Sequence, residues 1–134
     1  MAARTDCYVD TGAFIAFLDR SDSHHALFRQ RFSKPPALIT SALVITEGHG
    51  WFLRRYDQIR ATEFLAFISA LRRLDIEPFG ADALAKTGAV VKRYGDQALT
   101  LADAHGISII RERRIGACWS TDRRLALSGA ELVP

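Results

Sequence analysis

The sequence predicts an α/β protein with a parallel sheet, and two observations carry that reading. Short apolar runs rich in β-branched residues alternate with helical patterns of about 10–15 residues, the arrangement of βαβ units. Runs such as "CYV" (7–9) and "GACW" (116–119) are apolar throughout rather than alternating, as expected of strands covered by helices on both faces.

The elements follow in order. "CYVD" (7–10) is the first strand, and "TGAFIAFLDR" and "HHALFRQRF" read as helices. Pro35 and Pro36 break the second helix and release a strand over about 37–40. Ser41 is placed to cap the helix in "SALVITEGHGWFLRRY", where Val44, Gly48, Trp51 and Tyr56 recur at near-helical spacing. "QIRATEFLAFISALRRL" carries an amphipathic face of Phe64, Phe67, Ile68 and Leu71. "LDIEPF" is a third strand, stopped by Pro78. "ADALAKTGAVVKRYG" is a helix closing on Gly95, and "TLADAHGISIIRER" is a helix despite Gly106. "GACWST" (116–121) gives a fourth strand, "DRRLAL" a short helix, Ser128-Gly129 a turn and "AELVP" a final strand. With no repeat, linker or low-complexity stretch, the 134 residues are expected to form a single domain, 1–134.

Composition narrows the function classes. The chain is 49% hydrophobic and 25% charged, the balance of a soluble globular protein. No apolar run approaches the roughly 20 residues of a membrane span. The N-terminus lacks a long apolar segment, so no secretory signal and a cytoplasmic location are expected. Cys7 and Cys118 sit in separate apolar stretches without a zinc-type spacing and read as reduced core residues. Net charge is +3, and the cations are mostly arginine, with pairs at 54–55, 72–73, 113–114 and 123–124. Arginine forks suit phosphate, so a nucleic-acid partner is permitted, although GC-rich codon usage enriches arginine equally well.

Four carboxylates stand where charge is not expected. Asp10 ends the first strand and Asp122 follows the fourth, so both point to the carboxyl edge of the sheet, where α/β sites form. Glu47 lies three residues after Val44 and four before Trp51, on an apolar helical stripe. Asp103 lies four before Ile107 and seven before Ile110, on another. Each alone has a plain structural account: Asp10, Asp122 and Asp103 can cap helices, and Glu47 can snorkel to solvent. Four converging carboxylates repel one another unless a cation lies among them. Oxygen donors of this kind suit Mg²⁺ or Mn²⁺, and the matching chemistry is phosphodiester hydrolysis.

The segments "YVDTGAFIAFLDRSDSHH", "LITSALVITEGHGWFLRR", "YGDQALTLADAHGISIIRERRI" and "WSTDRRLALSGAELVP" together resemble the PIN-domain ribonucleases, in particular the VapC-type toxins of bacterial toxin–antitoxin pairs. The resemblance spans nearly the whole chain. It implies a three-layer α/β/α sandwich around a mainly parallel five-stranded sheet. It also implies a metal-dependent endoribonuclease that leaves 5′-phosphate and 3′-hydroxyl ends. Carried over by motif, the catalytic and metal-holding acids are Asp10, Glu47, Asp103 and Asp122, with Mg²⁺ or Mn²⁺ as cofactor. Thr11 and Thr121 match hydroxyl residues beside the first and last acids, and Asp96 matches a further acid expected at the rim. Arg123 and Arg124 are candidates to hold flanking RNA phosphates, or else plain solvated helix surface. The implied partners are RNA, a cognate antitoxin and a second copy in a homodimer, with no membrane. Two departures stand out: "RRLAL" follows Asp122 where a bulky residue is usual, and Gly106 replaces the usual Ala or Ser.

Two other classes compete with a ribonuclease. A non-catalytic PIN-like module would bind RNA or a partner without turnover, but it would not need all four acids. A phospho-aspartyl protein would need a DxD pair or a late strand-end lysine, and only Lys34, Lys86 and Lys92 exist. His24, His25, His49 and His105 are not expected to bind zinc. The aromatics Trp51, Phe52, Tyr56, Phe64 and Phe67 serve either core packing or an interface.

Overall fold

The computed structural model describes residues 7–134; residues 1–6, part of the stretch read for a secretory signal, lie outside it. Five strands, β1 (Cys7–Val9), β2 (Leu38–Ser41), β3 (Leu74–Glu77), β4 (Ala117–Trp119) and β5 (Glu131–Val133), form one sheet in the order β3-β2-β1-β4-β5. All four pairings are parallel, with Tyr8 opposite both Ile39 and Cys118. The chain steps outward from β1 to β3, then returns to the other side of β1 for β4 and β5. The strand order therefore reverses between β1 and β4, which opens a crevice at their carboxyl ends.

Among the described residues, six α-helices accompany the sheet: α1 (Thr11–Leu18), α2 (His25–Ser33), α3 (Ala42–Arg55), α4 (Gln58–Ala70), α5 (Ala81–Arg93) and α6 (Leu101–Arg113). Ser41 caps α3 as expected, its hydroxyl accepting from the Leu43 amide at 3.0 Å. The short helix expected after Asp122 is a 3₁₀ helix, Arg123–Ser128. The fifth helix ends at Arg93, short of the expected Gly95, and Asp96 falls in the turn that follows.

Strand alternation divides the interior into two cores, one on each face of the sheet. Cys7, Val9, Leu38 and Trp119 join Phe14, Phe28, Phe52 and Phe64 on one face. Tyr8, Ile39 and Cys118 join Ala104, Ile107 and Ile110 of α6 on the other. This is the three-layer α/β/α sandwich. The aromatic surplus goes largely to the first core: Phe32 stands edge-on to Trp119 at 5.0 Å, and Phe52 meets Phe64 at 5.7 Å.

Gly106 also finds its reason here. A Cβ at this position would lie 2.8 Å from the Tyr8 hydroxyl and 2.9 Å from its ring. The bare backbone lets α6 settle on β1, and α6 carries Asp103 toward the crevice. Gly106→Ala is expected to cost about 1–3 kcal/mol, because Tyr8 is fully buried and its ring cannot give way cheaply. Urea denaturation measures this, and an unchanged or raised stability would mean that the contact is slack.

Candidate active site

The crevice between β1 and β4 is built by backbone before any side chain enters it. The Asp10 amide donates to the Trp119 carbonyl at 2.9 Å, which closes the two strand ends against each other. Asp10 then starts α1 but does not cap it with its side chain. Its Oδ2 instead accepts the Ser120 hydroxyl at 2.7 Å, and Ser120 Oγ accepts the Asp122 amide at 3.0 Å. One buried serine thus ties the first acid to the backbone of the last.

The other acids arrive from three elements. Glu47, half-buried on α3, accepts the Thr11 hydroxyl at 2.7 Å through Oε1. Asp103, buried in the first turn of α6, completes a capping box: its amide donates to Thr100 Oγ1 at 3.1 Å, and its Oδ2 accepts the Thr100 amide at 3.0 Å. Asp122 caps the 3₁₀ helix, Oδ1 accepting the Arg124 amide at 3.0 Å. Capping is therefore a real role for Asp103 and Asp122, and not for Asp10.

Arg124 occupies a place the sequence did not suggest. Its Nε donates to Asp122 Oδ1 at 3.0 Å and its Nη2 to Asp122 Oδ2 at 2.7 Å, a two-pronged ion pair. The same Nη2 lies 3.3 Å from Asp103 Oδ2, while Nη1 donates to the Ala98 carbonyl at 2.8 Å. The guanidinium therefore bridges two acids rather than lying as solvated surface. Arg123 is exposed. Thr121 is exposed too, with its hydroxyl over Gly12, where a Cβ would come within 2.5 Å. Asp96 is exposed in the turn after α5, not one helix with Asp103.

Sequence reasoning missed Ser120. The signal was present: a hydroxyl residue at the end of a buried strand, two residues before an acid. Thr121 drew notice instead because it adjoins Asp122. Asp19, at the C-terminal end of α1, is buried, and it accepts the Ser21 hydroxyl at 2.7 Å and the Tyr56 hydroxyl at 3.0 Å. Burial pushes its acidity the other way, but these bonds and Arg60 outweigh it and hold the carboxyl below its usual range. His105 is buried, bonded to Ser41 at 2.6 Å through Nδ1, and shifted toward the neutral form by burial. It fastens α6 to the head of α3.

The charges are unequally balanced. Arg124 holds Asp122 below the ordinary carboxylate range, chiefly by its side-chain hydrogen bonds. Asp10 goes the other way: burial raises it from 3.8 to about 6, the Ser120 and Thr11 hydrogen bonds offset only part of that rise, and Asp103 and Glu47 add a smaller repulsion.

The PIN domain family profile matches residues 7–128. The chain belongs to the PIN domain family. Its fold is similar to that of VapC20 of Mycobacterium tuberculosis, a sarcin–ricin loop cleaving toxin, with a TM-score of 0.84 at 21% identity over 93% of this chain and 96% of that one. Two toxin–antitoxin complexes share the fold more distantly. VapBC2 of Rickettsia felis, bound to a promoter DNA fragment, has a TM-score of 0.62 at 13% identity, covering 95% of this chain and 96% of that one. A complex from Klebsiella pneumoniae has 0.61 at 16% identity, covering 96% of each. No curated protein sequence matches the chain.

This PIN domain has donor chemistry that fits a hard divalent cation. The acids supply oxygen only, and Asp10 is buried with excess negative charge around it. Among the described residues, no three Asp, Glu, His or Cys side chains stand close enough together to hold a metal ion as they are placed.

Asp10 makes a testable statement about stability. Its carboxyl is harder to ionise in the folded than in the unfolded chain, so its charge opposes folding above about pH 6 and has no effect below about pH 4. In metal-free protein, Asp10→Asn is expected to be more stable than wild type at pH 8, by at most about 3 kcal/mol. That advantage shrinks as pH falls through 6. Urea melts at pH 8, 6 and 4 measure it, and a difference that did not vary with pH would contradict the assignment.

Proposed function

We propose that this PIN domain is a divalent-metal-dependent endoribonuclease and the toxin of a type II toxin–antitoxin pair. The observation that carries the reading is Asp10: a buried carboxylate at the sheet's switch point, repelled by Asp103 and Glu47 and hydrogen-bonded to the Ser120 hydroxyl rather than to a basic side chain. Family membership supports nuclease chemistry, and the likeness to VapC folds supports the toxin role. The two toxin–antitoxin neighbours support an antitoxin partner, and a homodimer is proposed with it. No helix among the described residues is long and apolar enough to cross a membrane.

Asp10, Glu47 and Asp103 would hold Mg²⁺ or Mn²⁺, directly or through water. When bound, such an ion lowers the pKa of water and takes up charge on the attacked phosphate. The chain's own groups do the rest. Ser120 fixes the Asp10 carboxylate from the sheet side, and Thr11 fixes Glu47, so the donors are oriented before substrate arrives. Asp122, kept ionised by Arg124, can accept a hydrogen bond from the attacking water and aim it. Exposed Arg123, next to Asp122 in the chain, would be the arginine that meets a flanking phosphate.

Purified protein is expected to cut RNA internally with Mg²⁺ or Mn²⁺, and EDTA should abolish cleavage. Asp10→Asn should slow it by about 100-fold or more, since it removes the charge and keeps the shape. The checks are gel analysis of cleaved RNA and phosphatase sensitivity of the product 5′ ends. Wild-type rates from the Asn variant would defeat the mechanism. Tight RNA binding without turnover in any metal would favour a binding module.

A further inference from the structure

The guanidinium of Arg124 sits where a cation is needed, between the last two acids of the cluster. Nη2 bridges Asp122 Oδ2 at 2.7 Å and Asp103 Oδ2 at 3.3 Å, and Nε closes the fork on Asp122 Oδ1 at 3.0 Å. Two things hold it there. Nη1 donates to the Ala98 carbonyl at 2.8 Å, and Ala98 is in the left-handed backbone region at φ 52°, which turns its chain segment toward the site. The Arg124 amide also donates to Asp122 Oδ1, so backbone and side chain of one residue grip the same carboxylate. Both Asp122 oxygens and Asp103 Oδ2 thus accept from protein donors. Asp10 and Glu47 meet only hydroxyl donors from side chains, Ser120 and Thr11.

We propose that Arg124 is a resident counter-ion that takes the place of a second metal, leaving a site for one divalent cation on the Asp10–Glu47 side. This rests on the metal-site reading above. A delocalised guanidinium and a divalent ion compete for the same carboxylate oxygens, and the guanidinium is tethered to the backbone carbonyls of Ala98 at 2.8 Å and Gln97 at 3.4 Å. Arg124 is then a positioning residue: it fixes the Asp122 carboxylate, and it sets the metal count.

The experiment combines metal counting with a metal-free control. Mn²⁺ titration, followed by calorimetry and by the loss of the free-ion paramagnetic resonance signal, is expected to give one ion per chain for wild type. It should give two for Arg124→Gln. Arg124→Lys should stay at one, because charge rather than bulk does the replacing; a purely structural role would not separate Lys from Gln. In metal-free protein, urea melts of Arg124→Gln, Asp122→Asn and the double variant should show a coupling between the two positions. This confirms the ion pair in solution and shows that the variants fold. Two ions in wild type, equal to Arg124→Gln, or no coupling between the positions, would overturn the proposal. If wild type and every variant bound no Mn²⁺ while the coupling persisted, the metal-site reading would fail, and with it Arg124's role in setting the count.

Discussion

The structure depends on one costly placement: a carboxylate, Asp10, buried at the junction of the two central strands. A charged group in that position must be compensated. The protein itself supplies only part of that compensation, through the Ser120 hydroxyl and the Thr11 amide. The two aromatic and aliphatic cores on either side of the sheet supply the stability that lets such a residue persist. Each neighbouring element has a packing reason and a site reason at once. Close contact of α6 with Tyr8 at Gly106 brings Asp103 in, and the Asp10–Trp119 backbone bond brings Ser120 and Asp122 in.

Inside the crevice, the four acids fall into two differently treated halves. Asp122 and Asp103 are served by helix caps and by Arg124, and their charge is answered within the chain. Asp10 and Glu47 meet hydroxyl groups, which orient a carboxylate without neutralising it. Negative charge is thereby concentrated at one end of the cluster. In the proposed function, a cation and a phosphate would meet there at the open edge of the sheet, beside the positive N-terminal end of α1.

The fold was legible in the sequence because its signals are local. Uniformly apolar strands, Pro35-Pro36 before β2 and Ser41 at the head of α3 each act within a few residues. The acids were legible as anomalies, since charge on an apolar stripe or at a strand end contradicts its surroundings. What sequence did not disclose was pairing across distance. Ser120 reaches Asp10 from 110 positions away, and His105 reaches Ser41 from 64. Arg124 looks like one of a surface pair until the 3₁₀ geometry of its segment sets it against Asp122 and Asp103, half-exposed, while Arg123 stays outside. The start of α6 was legible to within a residue, because Thr100 and Asp103 form a capping box there, and Asp96 stays outside the helix, exposed in the preceding turn.

The central claim is that Asp10, Glu47 and Asp103, from three separate elements, serve a single cation, with Asp10 at its centre. Crystals soaked in Mn²⁺ test it most directly, through anomalous scattering recorded at the manganese edge. The account predicts a peak in contact with the Asp10 carboxylate, on the side facing Glu47 and Asp103, and no peak at the position held by Arg124. A peak remote from Asp10, or none at millimolar Mn²⁺ with the crevice open to solvent, would contradict it.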